Sequence, residues 1–267
     1  MTRTDDSEVP DYASRLRLDG ANFVVLGAGQ GIGRQACHAL AAVGARVFCV
    51  DLDAGLADDI AKEVNGIAWA GDAIAPDSAA RLYQDAETQL GRIDGIVDII
   101  GMARYAGLLD TDRDSWEWHH GIVLQHAINA VRLGAPRMIA SGGGVLTVVA
   151  SVSGMQSAPS HGAYGAYKAA LMSLVRTAAV ELGPKGVRVN AVAPGLVMTP
   201  RVAGYLTEAD KERGARNAPL RRSAFPPDIA EAILFLCGGL SSYITGQTIV
   251  VDGGVSAKFG YSLPGED

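Results

Sequence analysis

Short runs of apolar and β-branched residues alternate along the chain with longer helix-like stretches. ANFVVLGAG (21–29) precedes the helix-like GQGIGRQACHALAAVG, and ARVFCVDLD (45–53) precedes AGLADDIAKEV. The alternation continues through GIAWAGD (66–72), SAARLYQDAETQLG, IDGIVDIIG (93–101) and a long segment from Ser115 to Ala140. GGVLTVVAS (143–151), YGAYKAALMSLVRTAAVELG, VRVNAVAPG (187–195) and QTIVVDGG (247–254) complete it. Seven strands are predicted. Runs such as VVL, IVDII and VLTVVA are apolar without alternation, the mark of strands covered on both faces and therefore of a parallel sheet. The expected fold is α/β: a Rossmann-type, doubly wound, seven-stranded parallel sheet flanked by helices on both faces. One insert breaks the rhythm. Residues 199–227 hold Pro200, Gly204, Gly214, Pro219, Pro226 and Pro227 around short helical pieces, and such an insert is placed to act as a lid over a site.

Composition narrows the picture. The 267 residues favour a single domain over 18–267, with 48% apolar and 19% charged positions and 33 glycines, as in a compact protein rich in tight turns. Net charge is -6, and no basic cluster exceeds pairs such as Arg221 and Arg222, so no nucleic-acid partner is expected. The polar, acidic start reads as a flexible extension over residues 1–17, neither signal peptide nor anchor. The uncharged span 138–167 contains too many glycines for a membrane helix. Cys37, Cys49 and Cys237 stand far apart without a Cys-x-x-Cys, which fits a reducing cytoplasm.

Candidate chemistry begins at Leu26-Gly27-Ala28-Gly29-Gln30-Gly31-Ile32-Gly33, between the first strand and the first helix. Glycines there let backbone approach a pyrophosphate, and the helix start attracts its charge. The second strand ends at Asp51, eighteen residues after Gly33, where a carboxylate can accept hydrogen bonds from both ribose hydroxyls of NAD and repel the 2'-phosphate of NADP. Gln30 is neutral as well.

A second constellation lies between Ser151 and Lys168. Tyr164 stands thirteen positions after Ser151 and four before Lys168, and no charged side chain lies between Arg137 and Lys168. Residues four apart share a helix face. A phenol ionises near pH 10, and a neighbouring ammonium favours the phenolate, so Lys168 is expected to pull Tyr164 towards neutrality. Ser151, at a strand end, is placed to hydrogen-bond a substrate oxygen.

Together these residues resemble the short-chain dehydrogenase/reductase family in its classical branch, over Leu18 to Gly254. The landmarks are Gly27-x-x-x-Gly31-x-Gly33, Asp72-Ala73, Ser151, Tyr164-x-x-x-Lys168, Asn190, Pro194-Gly-x-Val197-x-Thr199 and the closing Ile244 to Gly254. The resemblance implies that Tyr164 is the general acid/base, Ser151 positions substrate and Lys168 lowers the tyrosine pKa. It implies that NAD is held by the glycine turn with Gln30 and Ile32, by Asp51 and Leu52, and by Asp72 and Ala73. Ile99, Gly101, Tyr164, Lys168, Pro194, Val197 and Thr199 complete the set. A homotetramer built on the long helices and the C-terminal strand is also implied.

The chain departs from that pattern at several points. Leu26 replaces a threonine, and Asp98-Ile99-Ile100-Gly101 replaces Asn-Asn-Ala-Gly. Leu26 and Ile99 are expected to form a compensated apolar pair. Asp98, at the end of an interior strand, is expected to find a hydrogen-bond donor. The family's relay asparagine falls at Val123. Either His119, His120 or His126 completes the relay, or three residues work alone. Those histidines with Glu117 match no usual zinc spacing, so no metal is expected.

The substrate pocket is expected to use Met102, Tyr105, Met155, Gln156, His161, Tyr205 and Phe225. These mostly apolar groups suit a neutral, hydrophobic secondary alcohol or ketone. A 3-oxoacyl thioester reductase and a non-catalytic NAD-binding protein are the alternatives.

Overall fold

The computed structural model describes residues 9–259. Its centre is a sheet of seven strands: β1 (Asn22–Leu26), β2 (Arg46–Asp51), β3 (Ile67–Ala70), β4 (Gly95–Asp98), β5 (Gly144–Val149), β6 (Val187–Pro194) and β7 (Thr248–Val251). All pairings are parallel, in the order β3-β2-β1-β4-β5-β6-β7. The expected doubly wound sheet is therefore present, with every predicted strand. The chain reverses its direction of travel across the sheet between β1 and β4, so a crevice opens at their carboxyl ends.

Helices cover both faces. On one side lie α1 (Gly31–Ala42), α2 (Ala54–Glu63) and α10 (Pro226–Cys237), packed through Cys37, Leu40, Ile60, Ile229 and Ile233. On the other lie α3 (Pro76–Leu90), a helical stretch over residues 113–140, and α7 (Gly162–Leu182), packed through Leu82, Tyr83, Met138, Leu171 and Val175. The strand period of two divides β1 between them: Phe23 and Val25 enter the first cluster, Val24 and Leu26 the second. Each such fully buried side chain contributes about 1.5–3 kcal/mol.

The same period corrects one expectation. Leu26 lies in the cluster against which Ile100 packs, whereas Ile99 packs against the opposite one, so Leu26 and Ile99 do not form an apolar pair. What joins them is backbone, the Ile99 amide donating to the Leu26 carbonyl at 3.1 Å. The family pattern implied the pair; Leu26 is in register with Asp98, and the pleat turns the next side chain, Ile99, to the other face.

The stretch over residues 113–140 is one run of helix with two widened turns. It comprises α4 (Arg113–His120), a π turn at Gly121–Gln125, α5 (His126–Asn129), a second π turn at Ala130–Gly134, and α6 (Ala135–Ala140). Asp112 caps its start by accepting from the Ser115 amide at 2.8 Å. Val123 lies fully buried within the first π turn, so the helix widens at the asparagine slot without an asparagine. The insert folds into α8 (Pro200–Tyr205), capped by Thr199, and α9 (Glu208–Asn217), closed by a Thr207–Asp210 capping box.

Of the extension expected over residues 1–17, residues 1–8 lie outside the described residues, and Ser14–Leu16 forms a 3-10 turn. Among the described residues no helix is long and apolar enough to cross a membrane.

Candidate active site

At the carboxyl end of β1 the chain turns into α1. A Cβ on Gly33 would sit 1.9 Å from the Gly27 carbonyl oxygen, so only glycine lets this helix seat against its strand. Gly29 plays a part that motif spacing did not reveal. Its amide donates to Asp51 Oδ2 at 2.9 Å, while Asp51 Oδ1 accepts from the Asp53 amide at 3.1 Å. The carboxylate is thus fixed at the end of β2, with lone pairs left for a diol. Gly29 leaves room for it, because a Cβ there would lie 2.8 Å from Asp51 Oδ2.

These groups open onto a cleft of about 770 Å³. Every dinucleotide-binding candidate named from sequence lines it, from Gly27 through Asp51, Asp72, Ile99 and Pro194 to Thr199. Asp72 accepts from the Ile74 amide at 2.7 Å, and buried Asn129 donates to the Ala73 and Ile74 carbonyls at 2.9 and 3.0 Å. That pins the loop after β3 to the long helix. The residues lining the Asp51 end, Leu52, Gly71, Asp72 and Ala73, include no lysine or arginine. A carboxylate with free lone pairs and a glycine-lined turn at a helix start fit a nicotinamide dinucleotide.

Ser151, Tyr164 and Lys168 line the same cleft. Ser151 follows β5, accepts from the Ser153 amide at 3.1 Å, and lines the cleft with Tyr164. Lys168, 2% exposed, donates from Nζ to the Val149 carbonyl at 2.6 Å and lies 5.7 Å from the Tyr164 ring centroid. Burial lowers the lysine pKa to about 8, against an opposing pull from the Asp98 carboxylate. Tyr164 moves the other way from expectation. Burial raises its pKa, Ser151 draws it down and the Tyr205 hydroxyl adds to the rise. Desolvation of the phenolate outweighs the neighbouring groups, and the phenol is the favoured form here.

Aromatic side chains frame Tyr164. The His161 ring lies 6.4 Å away, Tyr105 packs tilted against His161 at 4.8 Å, and the Tyr205 hydroxyl of α8 acts with burial to raise the Tyr105 pKa. Met102, Tyr105, His161 and Tyr205 line the cleft as expected. Met155, Gln156 and Phe225 do not: Met155 and Phe225 are 55% and 53% exposed, and Gln156 Nε2 reaches the Ser256 carbonyl at 3.3 Å. The 3-10 turn Val152–Gly154 carries the chain away from the cleft after Ser153. Arg104 and Trp118 were not anticipated. Arg104 stacks over Trp118 with its guanidinium carbon 3.9 Å from the ring centroid, and both line the cleft.

The histidines separate. His119 Nδ1 lies 2.7 Å from the Ser115 carbonyl, and its Nε2 accepts from the Arg104 amide at 3.1 Å. His120 packs edge-on against Tyr167. His126 meets Asp98, Nδ1 to Oδ2, at 2.6 Å, which provides the donor expected for that carboxylate.

Comparison with known proteins agrees with this geometry. A family model described as enoyl-(acyl carrier protein) reductase matches residues 27–256. Galactitol 2-dehydrogenase (L-tagatose-forming) of Cereibacter sphaeroides is 36% identical over 250 residues, covering 91% of this chain and 98% of that protein. The 3-oxoacyl-(acyl-carrier-protein) reductase of Thermotoga maritima is 33% identical, covering 90% and 99%. Among solved structures, a 7-alpha-hydroxysteroid dehydrogenase complexed with NADH and 7-oxo glycochenodeoxycholic acid superposes with a TM-score of 0.87 at 31% identity, covering 91% and 96%. The chain belongs to the short-chain dehydrogenase/reductase family, oxidoreductases acting on CH–OH groups.

Proposed function

We propose that this protein is an NAD-dependent oxidoreductase that interconverts a neutral, hydrophobic secondary alcohol and its ketone. The observation that carries the reading is one cleft with Asp51, free of cations, at one end and Ser151, Tyr164 and Lys168 at the other. Gly27 to Gly33 would hold the pyrophosphate, Asp51 the adenosine ribose, Asp72 and Ala73 the adenine, and Pro194, Val197 and Thr199 the carboxamide. Bound NAD supplies the hydride donor or acceptor. Tyr164 gives a proton from its Oη to the ketone oxygen, or takes one from the alcohol, and Ser151 Oγ orients that oxygen. The ammonium of Lys168 favours the phenolate left behind. The favoured phenol form is the state from which a ketone reduction starts.

Tyr105, His161 and Tyr205 bring aromatic faces to the reacting centre, which supports a hydrophobic, cyclic substrate. The relative that carries the printed name 3-oxoacyl-(acyl-carrier-protein) reductase favours a second reading, reduction of a 3-oxoacyl thioester. A single domain over 18–267 with its lid near 199–227, a homotetrameric assembly and a reducing cytoplasmic setting belong to the same proposal. Turnover measured with NAD and NADP across secondary alcohols, cyclic ketones and a 3-oxoacyl thioester decides between the readings. Preference for NAD and a cyclic ketone is expected; faster thioester reduction with NADPH overturns it. Tyr164→Phe is expected to lower kcat by about 10²–10⁴-fold while NAD still quenches tryptophan fluorescence.

A further inference from the structure

We propose that Asp98 and His126 form a buried positioning pair that holds the Lys168 ammonium charged and in place from behind, the task left open by Val123. The inference rests on the reading of Lys168 given above.

Both members are 1% exposed, one at the carboxyl end of β4 and the other at the start of α5, just after the first π turn. His126 Nδ1 lies 2.6 Å from Asp98 Oδ2, and the other carboxylate oxygen accepts from the Ile100 amide at 3.3 Å. His126 Nε2 lies 3.2 Å from the Ile122 carbonyl oxygen. Both ring nitrogens therefore face oxygen atoms, so the ring is held at both ends. A carboxylate this deeply buried keeps its charge only with such a partner.

The pair lies next to the lysine through the sheet. Asp98 is in register with Val148, and Lys168 is bonded to the carbonyl of the following residue, Val149. A Cβ on Gly101 would come within 2.9 Å of Nζ, so the ammonium is wedged between the ends of β4 and β5. Among the described residues, the Asp98 carboxylate acts on Lys168 in favour of its charge, against burial. The other ionisable groups nearby are accounted for. Tyr164 lies one turn back on α7, and Tyr205 of α8 acts on Tyr164. From α3, the Tyr83 hydroxyl feels the charge of Asp98 and makes no hydrogen bond among the described residues. His119 and His120 of α4 are engaged with Arg104, Ser115 and Tyr167. Without His126 the Asp98 carboxylate would be left buried with only the Ile100 amide to answer it, so both members are needed.

The chain has five lysines, Lys62, Lys168, Lys185, Lys211 and Lys258, and selective ε-¹³C-lysine labelling of the full chain resolves their titrations by NMR. The signal missing in Lys168→Met identifies Lys168. Asp98→Asn, His126→Asn and the double variant are each expected to lower its midpoint by the same amount, about one pH unit, with the alkaline limb of kcat moving alongside. A residue that only packs would change melting temperature and leave the midpoint alone. An unchanged midpoint in Asp98→Asn, a shift confined to one single variant, or additive shifts overturns the proposal. Should a single variant not fold, the double variant, which keeps an amide–amide pair, decides by the same midpoint. Absence of turnover in the unmodified protein counts against the proposed function, and the titration still decides this pair.

Discussion

Lys168 carries its charge where burial opposes one. Its pKa falls from 10.5 in water to about 8 in the folded chain, so the folded state disfavours the ammonium. That penalty is fully present below about pH 8 and fades as pH rises towards 10.5, near which the unfolded chain also releases the proton. At about 1.4 kcal/mol per unit it is worth roughly 3 kcal/mol, offset by about 1 kcal/mol for the hydrogen bond to Val149. Lys168→Met is accordingly expected to melt a few degrees higher than the parent at pH 7, to lose that advantage by pH 10, and to lose turnover. Thermal melts at the two pH values check this, and a lower melting temperature at pH 7 counts against it. Tyr164 shows how far a single residue can be read from its neighbours in sequence. The four-residue spacing from Lys168 was legible; the rise in its pKa was not, because it comes from burial and from Tyr205, forty-one positions away.

At the scale of elements, the β1–α1 join depends on contact between backbones. Gly33→Ala would press a methyl against the Gly27 carbonyl, so the helix must shift off the strand. The expected cost is about 2–4 kcal/mol, together with at least about a tenfold weaker NAD affinity, read by denaturation and by fluorescence titration. Retained affinity would show that the turn can relax without losing its cradle. The two π turns belong to the same scale. Nothing in the local pattern of residues 115–140 announces them, since the apolar spacing reads as ordinary helix. Both lie where the helix packs tightly: Val123 is fully buried, and a Cβ on Gly134 would lie 2.3 Å from Ile96 Cδ1 and 2.9 Å from Tyr83 Cε1.

The whole molecule brings the loop after β4 and the insert helix α8 together across the cleft, where Tyr105 and Tyr205 both line it. Tyr205→Phe removes a hydroxyl from the cleft wall and is expected to raise KM for a ketone about fivefold, the worth of roughly 1 kcal/mol, with kcat little changed. Steady-state kinetics test this; a fall in kcat at constant KM would place Tyr205 in the proton chemistry instead. On α7, Val180 is 76% exposed in the single chain, and the proposed homotetramer is expected to cover it. Light scattering is expected to return four times the 27.7 kDa chain mass, and a monomer at micromolar concentration contradicts the tetramer.

The sequence by itself determined what is local and periodic: seven strands, the glycine turn at the first crossover, the acid at the end of β2, and a tyrosine and lysine on one helix face. Each is set by backbone sterics or by side-chain period, which act over a few residues. Only the tertiary structure decided that Met155 and Gln156 turn away, that Leu26 and Ile99 part across the sheet, and that Asp98 is answered by His126 twenty-eight residues later. Those outcomes depend on desolvation and on packing between distant segments, and neither is written in the spacing of residues along the chain.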